Sequence, residues 1–225
     1  MRRRAGRLLA AAILAALADG CSGNAPQIAR VSAQLLYVDD LTDGSVHEEL
    51  ALHVVPEDKD GLDDLQYLHL ISDKAELYWS LSSDTWSQAK SQNDQWIGSA
   101  RLAMPRNERF PRGEYRVLLY DLSGDSAEQR FDLDTEVLDP REIPFPQAAV
   151  VGGRITLTGA LGWYAVLVYT GSNTYVKSFA AQAEGVSLDT IRRSDSVLRG
   201  GFSYYVYAYW SRRGVGLLVG PYFVD

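Results

Sequence analysis

Cysteine is nearly missing from this chain: its 225 residues carry one, Cys21, so no disulfide can close within it. Histidine is almost as scarce, at three, and no H-E-x-x-H, C-x-x-C, G-x-S-x-G or phosphate-loop pattern occurs. A closed zinc centre, a dithiol couple and a motif-borne serine nucleophile therefore have no local signature here. No apolar run approaches the roughly 18 residues of a membrane-spanning helix. After residue 7 no three basic residues stand together, which removes the electrostatic footprint that a phosphate backbone needs, so nucleic acid is not an expected partner.

What is present starts at the N-terminus. Residues 1–20, MRRRAGRLLAAAILAALADG, place four arginines before the 11-residue uncharged run Leu8–Ala18, followed by small residues. Charge on one side of a short apolar run is the layout of an export signal. The stretch Leu17-Ala18-Asp19-Gly20-Cys21 resembles the lipobox of bacterial lipoproteins, with Ala18 and Asp19 departing from the favoured residues and Gly20 matching. That resemblance implies cleavage before Cys21, thioether lipidation of Cys21 and acyl chains holding the protein to the cell envelope, the outer membrane being expected before the inner. The lone cysteine agrees, because acylation removes a thiol that would otherwise be exposed and reactive. Two or more acyl chains anchor stably where one is marginal. Cleavage would leave 18 basic against 28 acidic residues, net −10, a charge that disfavours adsorption to anionic lipid without a covalent anchor.

Residues 21–28 read as a small, polar tether. Beyond it, Val46–Val54 alternates cleanly, with Val46, Leu50, Leu52 and Val54 on one face and His47, Glu49, Ala51 and His53 on the other, the period of a half-buried strand. Further strands are predicted at 34–38, 65–71, 76–81, 96–102, 115–122 and 129–133, separated by Gly- and Asp-rich turns, with one short helix over 84–90 capped by Ser83. Pro140, Pro144 and Pro146 crowd 139–147, a density that strands and helices reject, and a domain boundary is expected there. Strands follow at 154–158, 163–169, 174–180, 202–210 and 215–224, whereas 187–201 reads as a loop with a helical turn. The expected fold class is all-β: two antiparallel sandwich domains, 29–138 and 148–225, joined by a linker at 139–147. Gly113–Val117 leading into the Asp121–Gly124 turn weakly resembles bacterial immunoglobulin-like domains, which implies a sandwich fold and no function.

Three constellations offer chemistry. His47, His53 and His69 all fall in strands; His47 and His53 lie roughly 20 Å apart at 3.3 Å per residue, and the histidines are expected on solvent-facing positions. Glu57, Asp58, Asp60, Asp63 and Asp64 surround Gly61, oxygen ligands of the kind calcium takes, but the helical calcium-loop spacing fails and a solvated acidic turn is the reading. Aromatics cluster at Tyr78, Trp79, Trp86 and Trp96, and again at Tyr204, Tyr205, Tyr207, Tyr209 and Trp210, where core packing competes with a sugar-stacking row. The assignment is lipidation at Cys21 with no catalytic, cofactor or metal residue. The expected role is a non-catalytic binding, scaffold or assembly component with a protein or glycan partner; a carbohydrate-binding module is the first rival and a paired-carboxylate glycosidase the second.

Overall fold

The computed structural model describes residues 24–91 and 93–225; the expected leader, Cys21 and the first tether residues lie outside them. The described chain is mostly strand: β1 (Gln27–Asp40), β2 (Ser45–Glu57), β3 (Leu65–Ser72), β4 (Leu77–Ser82), β5 (Ser87–Ser91), β6 (Asp94–Ala103), β7 (Gly113–Asp121), β8 (Ser126–Leu133), β9 (Gln147–Val151), β10 (Arg154–Thr158), β11 (Tyr164–Thr170), β12 (Tyr175–Ala181), β13 (Val186–Ser187), β14 (Phe202–Trp210) and β15 (Val215–Val224). One helix, α1 (Leu188–Ser194), and four 3-10 turns complete it. The strands form sheets in the orders β12-β11-β14-β15-β1-β2-β6-β5, β13-β10-β9 and β4-β3-β7-β8. No helix among the described residues is long and apolar enough to cross a membrane.

Strands β3–β4, β3–β7, β5–β6, β9–β10, β10–β13, β11–β12, β11–β14 and β14–β15 pair antiparallel. Strands β1 and β15 run parallel from Leu36↔Gly216 to Asp40↔Gly220, so the expected purely antiparallel pattern is corrected there. A Cβ on Gly216 would lie 2.4 Å from the Leu36 side chain and 2.8 Å from the Tyr207 ring, so a larger residue there would make both shift. The helix expected at 84–90 is absent as well. Ser82 to Trp86 form a turn held by the Thr85 hydroxyl, and 87–91 pair as β5 with β6 from Ser87↔Gly98 to Ser91↔Asp94, where cross-strand bonds outweigh local helix preference.

The chain divides into two compact units that interleave along the sequence. The first comprises residues 24–31, His53–Gly98 and Tyr115–Phe131; the second comprises Ser32–Leu52, Ser99–Glu114 and Asp132–Asp225. The proline-rich stretch 139–147 therefore lies inside the second unit. Asp139 caps a 3-10 turn there at Arg141, and long-range pairing of β1 with β15 draws early residues into the same unit as late ones.

In the first unit, β3 and β7 turn Leu65, Leu68, Leu70, Tyr115, Val117 and Leu119 inward, each 2% exposed or less. Tyr115 stacks on Phe131 at 5.5 Å and 9°. The second unit carries Ile155, Val166, Ile191, Leu198, Val206 and Ala208 in one apolar cluster, and Leu36, Val38, Tyr205 and Leu218 in another. Successive buried residues along β14 and β15 mean that these strands are covered on both faces, which explains their nearly continuous apolar and aromatic composition. Each fully buried Val or Leu contributes roughly 1.5–3 kcal/mol, so cores of this kind can stand without a disulfide.

Candidate functional site

Strand β3 alternates as LQYLHLIS, and the same alternation that buries Leu68 and Leu70 turns Tyr67, His69 and Ile71 outward. Register places Tyr67 opposite Tyr120 of β7 and Ile71 opposite Tyr78 of β4. The result is an aromatic cluster on the outer face of the β4-β3-β7-β8 sheet. The His69 ring lies 5.7 Å from Tyr67, 5.0 Å from Tyr78 and 5.3 Å from Tyr120. Tyr67 remains 39% and Tyr78 56% exposed. Partial burial lowers the His69 pKa, which favours the neutral ring, and the Tyr78 hydroxyl lies within hydrogen-bond distance of Nδ1 at 2.7 Å. The group is thus ordered while two of its rings face water.

The other end of this face is ionic. Arg116 donates to both oxygens of Asp73 at 2.7 and 2.9 Å and to Glu128 at 3.1 Å, and Arg130 reaches Glu128 at 2.9 Å. The Asp73 carboxyl is lowered, first through its hydrogen bond from Arg116. Aromatic rings beside a fixed donor-acceptor network suit a flat ligand that offers both CH faces and hydroxyls.

His47, Glu48 and Glu49 of β2 behave otherwise, and all three lie in the second unit, which takes Ser32–Leu52. Glu48 is 2% exposed and accepts from Arg112 at both oxygens, 2.9 Å each, with the Phe110 N–H at 2.9 Å. Glu49 is 5% exposed and accepts from Arg101 at 2.5 and 2.9 Å, and that guanidinium lies 5.1 Å from the Tyr205 ring centroid. The expectation of a solvent-facing His47 is corrected: it is buried, 8% exposed, between Ser45 at 3.4 Å and Glu49 at 3.3 Å. Each of these two acids meets an arginine brought from more than fifty residues away. The row Ser45-His47-Glu49 has the residue types of a hydrolytic triad, but its contacts exceed the 2.6–3.2 Å of an activated nucleophile and its acid is already held by Arg101. His53 is half-buried, and that burial lowers its pKa.

The remaining sequence candidates separate clearly. Asp58, Asp60 and Asp64 come together, each offering a carboxylate oxygen within 4.8 Å of the others, whereas Glu57 and Asp63 stay outside that group. Trp86 is buried, Trp79 lies against Tyr115 at 6.4 Å, and Trp96 lies under Arg30 at 5.3 Å. In β14, Tyr204 stacks on Tyr222 at 4.9 Å, Tyr205 is buried, and Tyr207 donates to Gln34 at 2.8 Å, which leaves only Tyr209 of that row largely exposed. Tyr67 and Tyr120 were missed in sequence; the alternation around each was the available signal.

No family model matches the chain, and no curated protein matches it. Among solved structures it is similar to dimeric latent PorU from Porphyromonas gingivalis, at 11% identity and TM-score 0.35, covering 89% of this chain and 21% of that one. It is also similar to a structure from a 1.5-MDa bacterial ice-binding adhesin, at 12% identity and TM-score 0.24, covering 87% of this chain and 63% of the other. A Dpr11 IG1 structure bound to DIP-gamma IG+IG2 is similar at 10% identity and TM-score 0.24, covering 87% and 97%. The chain spans about a fifth of the PorU chain. Likenesses this loose assign it neither a family nor an activity.

Proposed function

We propose that this chain is a lipid-anchored, non-catalytic protein of the bacterial cell envelope whose immunoglobulin-like β body binds a partner. The leader and Cys21 support export and anchoring. The observation that carries the binding role is the outer sheet face, where Tyr67 and Tyr78 stay exposed around an ordered His69. The internal pairing of Glu48 with Arg112 and Glu49 with Arg101 supports a structural use of the acids that a hydrolase would otherwise employ. Fractionation tests the anchor: Cys21→Ser should move the protein from membranes to the soluble fraction, and retention after a high-salt wash would overturn covalent anchoring.

A second reading is favoured by the same face, that the partner is a glycan. Tyrosine edges beside the Asp73-Arg116-Glu128 network can take a sugar ring by stacking and hydroxyl bonding. Retention on insoluble peptidoglycan should fall about tenfold in a Tyr67→Ala, Tyr78→Ala variant. Equal retention of variant and parent would remove the glycan from this face.

A further inference from the structure

Like-charged carboxylates within 5 Å normally acquire a cation, a hydrogen-bond donor or a proton. Asp58, Asp60 and Asp64 meet that description around the turn preceding β3. Asn24 donates to Asp60 from its backbone N–H at 2.5 Å and from its side-chain amide at 3.2 and 3.3 Å, and Asp58 accepts the Asp60 N–H at 2.8 Å. The second Asp58 oxygen, Oδ2, is buried with no partner.

A fourth acid makes the cluster more than an acidic turn. Asp121, at the end of β7 and opposite Leu65 in the sheet, is 1% exposed. Its Oδ1 is used by the Ser123 hydroxyl at 3.0 Å and the Asp125 N–H at 2.8 Å, while its Oδ2 is buried and unpartnered. Asp121 is also the strongest like charge acting on Asp64, ahead of Asp58 and Asp60; after desolvation, these three push the Asp64 carboxyl up. The Leu122 N–H bonded to the Asp64 carbonyl at 2.8 Å ties the two segments together. Asp58 Oδ2, buried without a donor beside the Asp60 and Asp64 carboxylates, and a second such oxygen on Asp121, whose charge acts on Asp64, make an arrangement that a hard cation relieves.

We propose that Asp58, Asp60 and Asp64, backed by Asp121, form a calcium site that ties the start of the body at Asn24 to the turn before β3. Calcium fits better than magnesium because the oxygens come from flexible turn side chains and can supply the six to eight ligands at irregular angles that calcium accepts. The adjacent cleft of about 750 Å³ is lined by Glu57, Asp58 and Asp94 with Lys59 as its one basic residue, so Asp58 is reached from open space with room for bound water.

The test uses the full-length chain in detergent after chelator treatment. Modules working outside cells bind calcium at about 0.1–1 mM, so 10 mM calcium should raise Tm by roughly 3–8 °C, with a smaller shift for magnesium. Asp58→Asn with Asp64→Asn should abolish that shift and raise Tm in the absence of metal, since it removes repulsion. Asp63→Asn, outside the cluster, should behave as the parent. Terbium luminescence sensitised by nearby aromatic rings should titrate in the parent and be lost in the double variant. The proposal is overturned if calcium leaves the parent's Tm and terbium emission unchanged, or if the double variant keeps the calcium response.

Discussion

Two groups of acids stand within twenty residues of each other in sequence and are treated in opposite ways. Glu48 and Glu49 of β2, in the second unit, are each closed by an arginine with two hydrogen bonds. Asp58, Asp60 and Asp64, in the first unit, face one another and Asp121. Burial alone does not distinguish them, since Glu48 and Asp121 are equally inaccessible; the supply of donors does. Acids that the fold itself neutralises contribute to the core, and acids left facing each other await something from outside.

The largest test of this contrast is to break the Glu48 pair. Glu48→Ala or Arg112→Ala should cost about 3–5 kcal/mol in urea unfolding, because each leaves a buried charge behind. The double change to Met should cost far less than the two single changes combined; full additivity would show that they do not act as a pair. The Glu49 pair is more open, with the Arg101 side chain 29% exposed, and Arg101→Met should cost about 2–3 kcal/mol by the same measurement.

The smallest effects are in pH dependence, where the two kinds of carboxylate differ in sign. The Asp64 carboxyl is raised, so the folded protein takes up its proton before the unfolded chain does. Stability from this group should increase as pH falls through its folded value and level off below 3.8, its ordinary value. Asp139, hydrogen-bonded by Arg141, is held at about 2; its contribution is present above 3.8 and is lost on acidification toward 2. Carboxyl-carbon NMR titration separates the two, and an Asp64 midpoint below that of an unfolded control would contradict the clustered arrangement.

Much of the strand framework was legible because single residues report local covering. Strands β10, β14 and β15 occupy the segments that their β-branched and aromatic runs mark. The polar face of β2 was not legible. His47 and Glu49 alternate with Leu50 and Leu52 as solvent-facing residues do, and Arg101, which closes Glu49, enters from 99–114 by tertiary folding. Strand β5, Ser87–Ser91, carries no β-branched residue and exists through its hairpin with β6. Of the acidic turn, the sequence displayed the aspartates but not Asp121, which arrives through β3–β7 pairing. The aromatic face was half legible: Tyr78 stood out beside Trp79, while Tyr67 and Tyr120 have no aromatic neighbour in sequence.

The parallel pairing of β1 with β15 has a consequence in time. Leu36 and Gly216 are partners 180 positions apart, so the ladder that completes the larger sheet closes a loop of nearly the whole chain. Contacts of such separation form late and slow folding. Until β15 is present, β1 and β14 each carry an unpaired edge, the kind of surface that recruits another strand or a protease. A chain arrested before residue 215 therefore leaves both edges open, which makes β15 the strand whose arrival closes them.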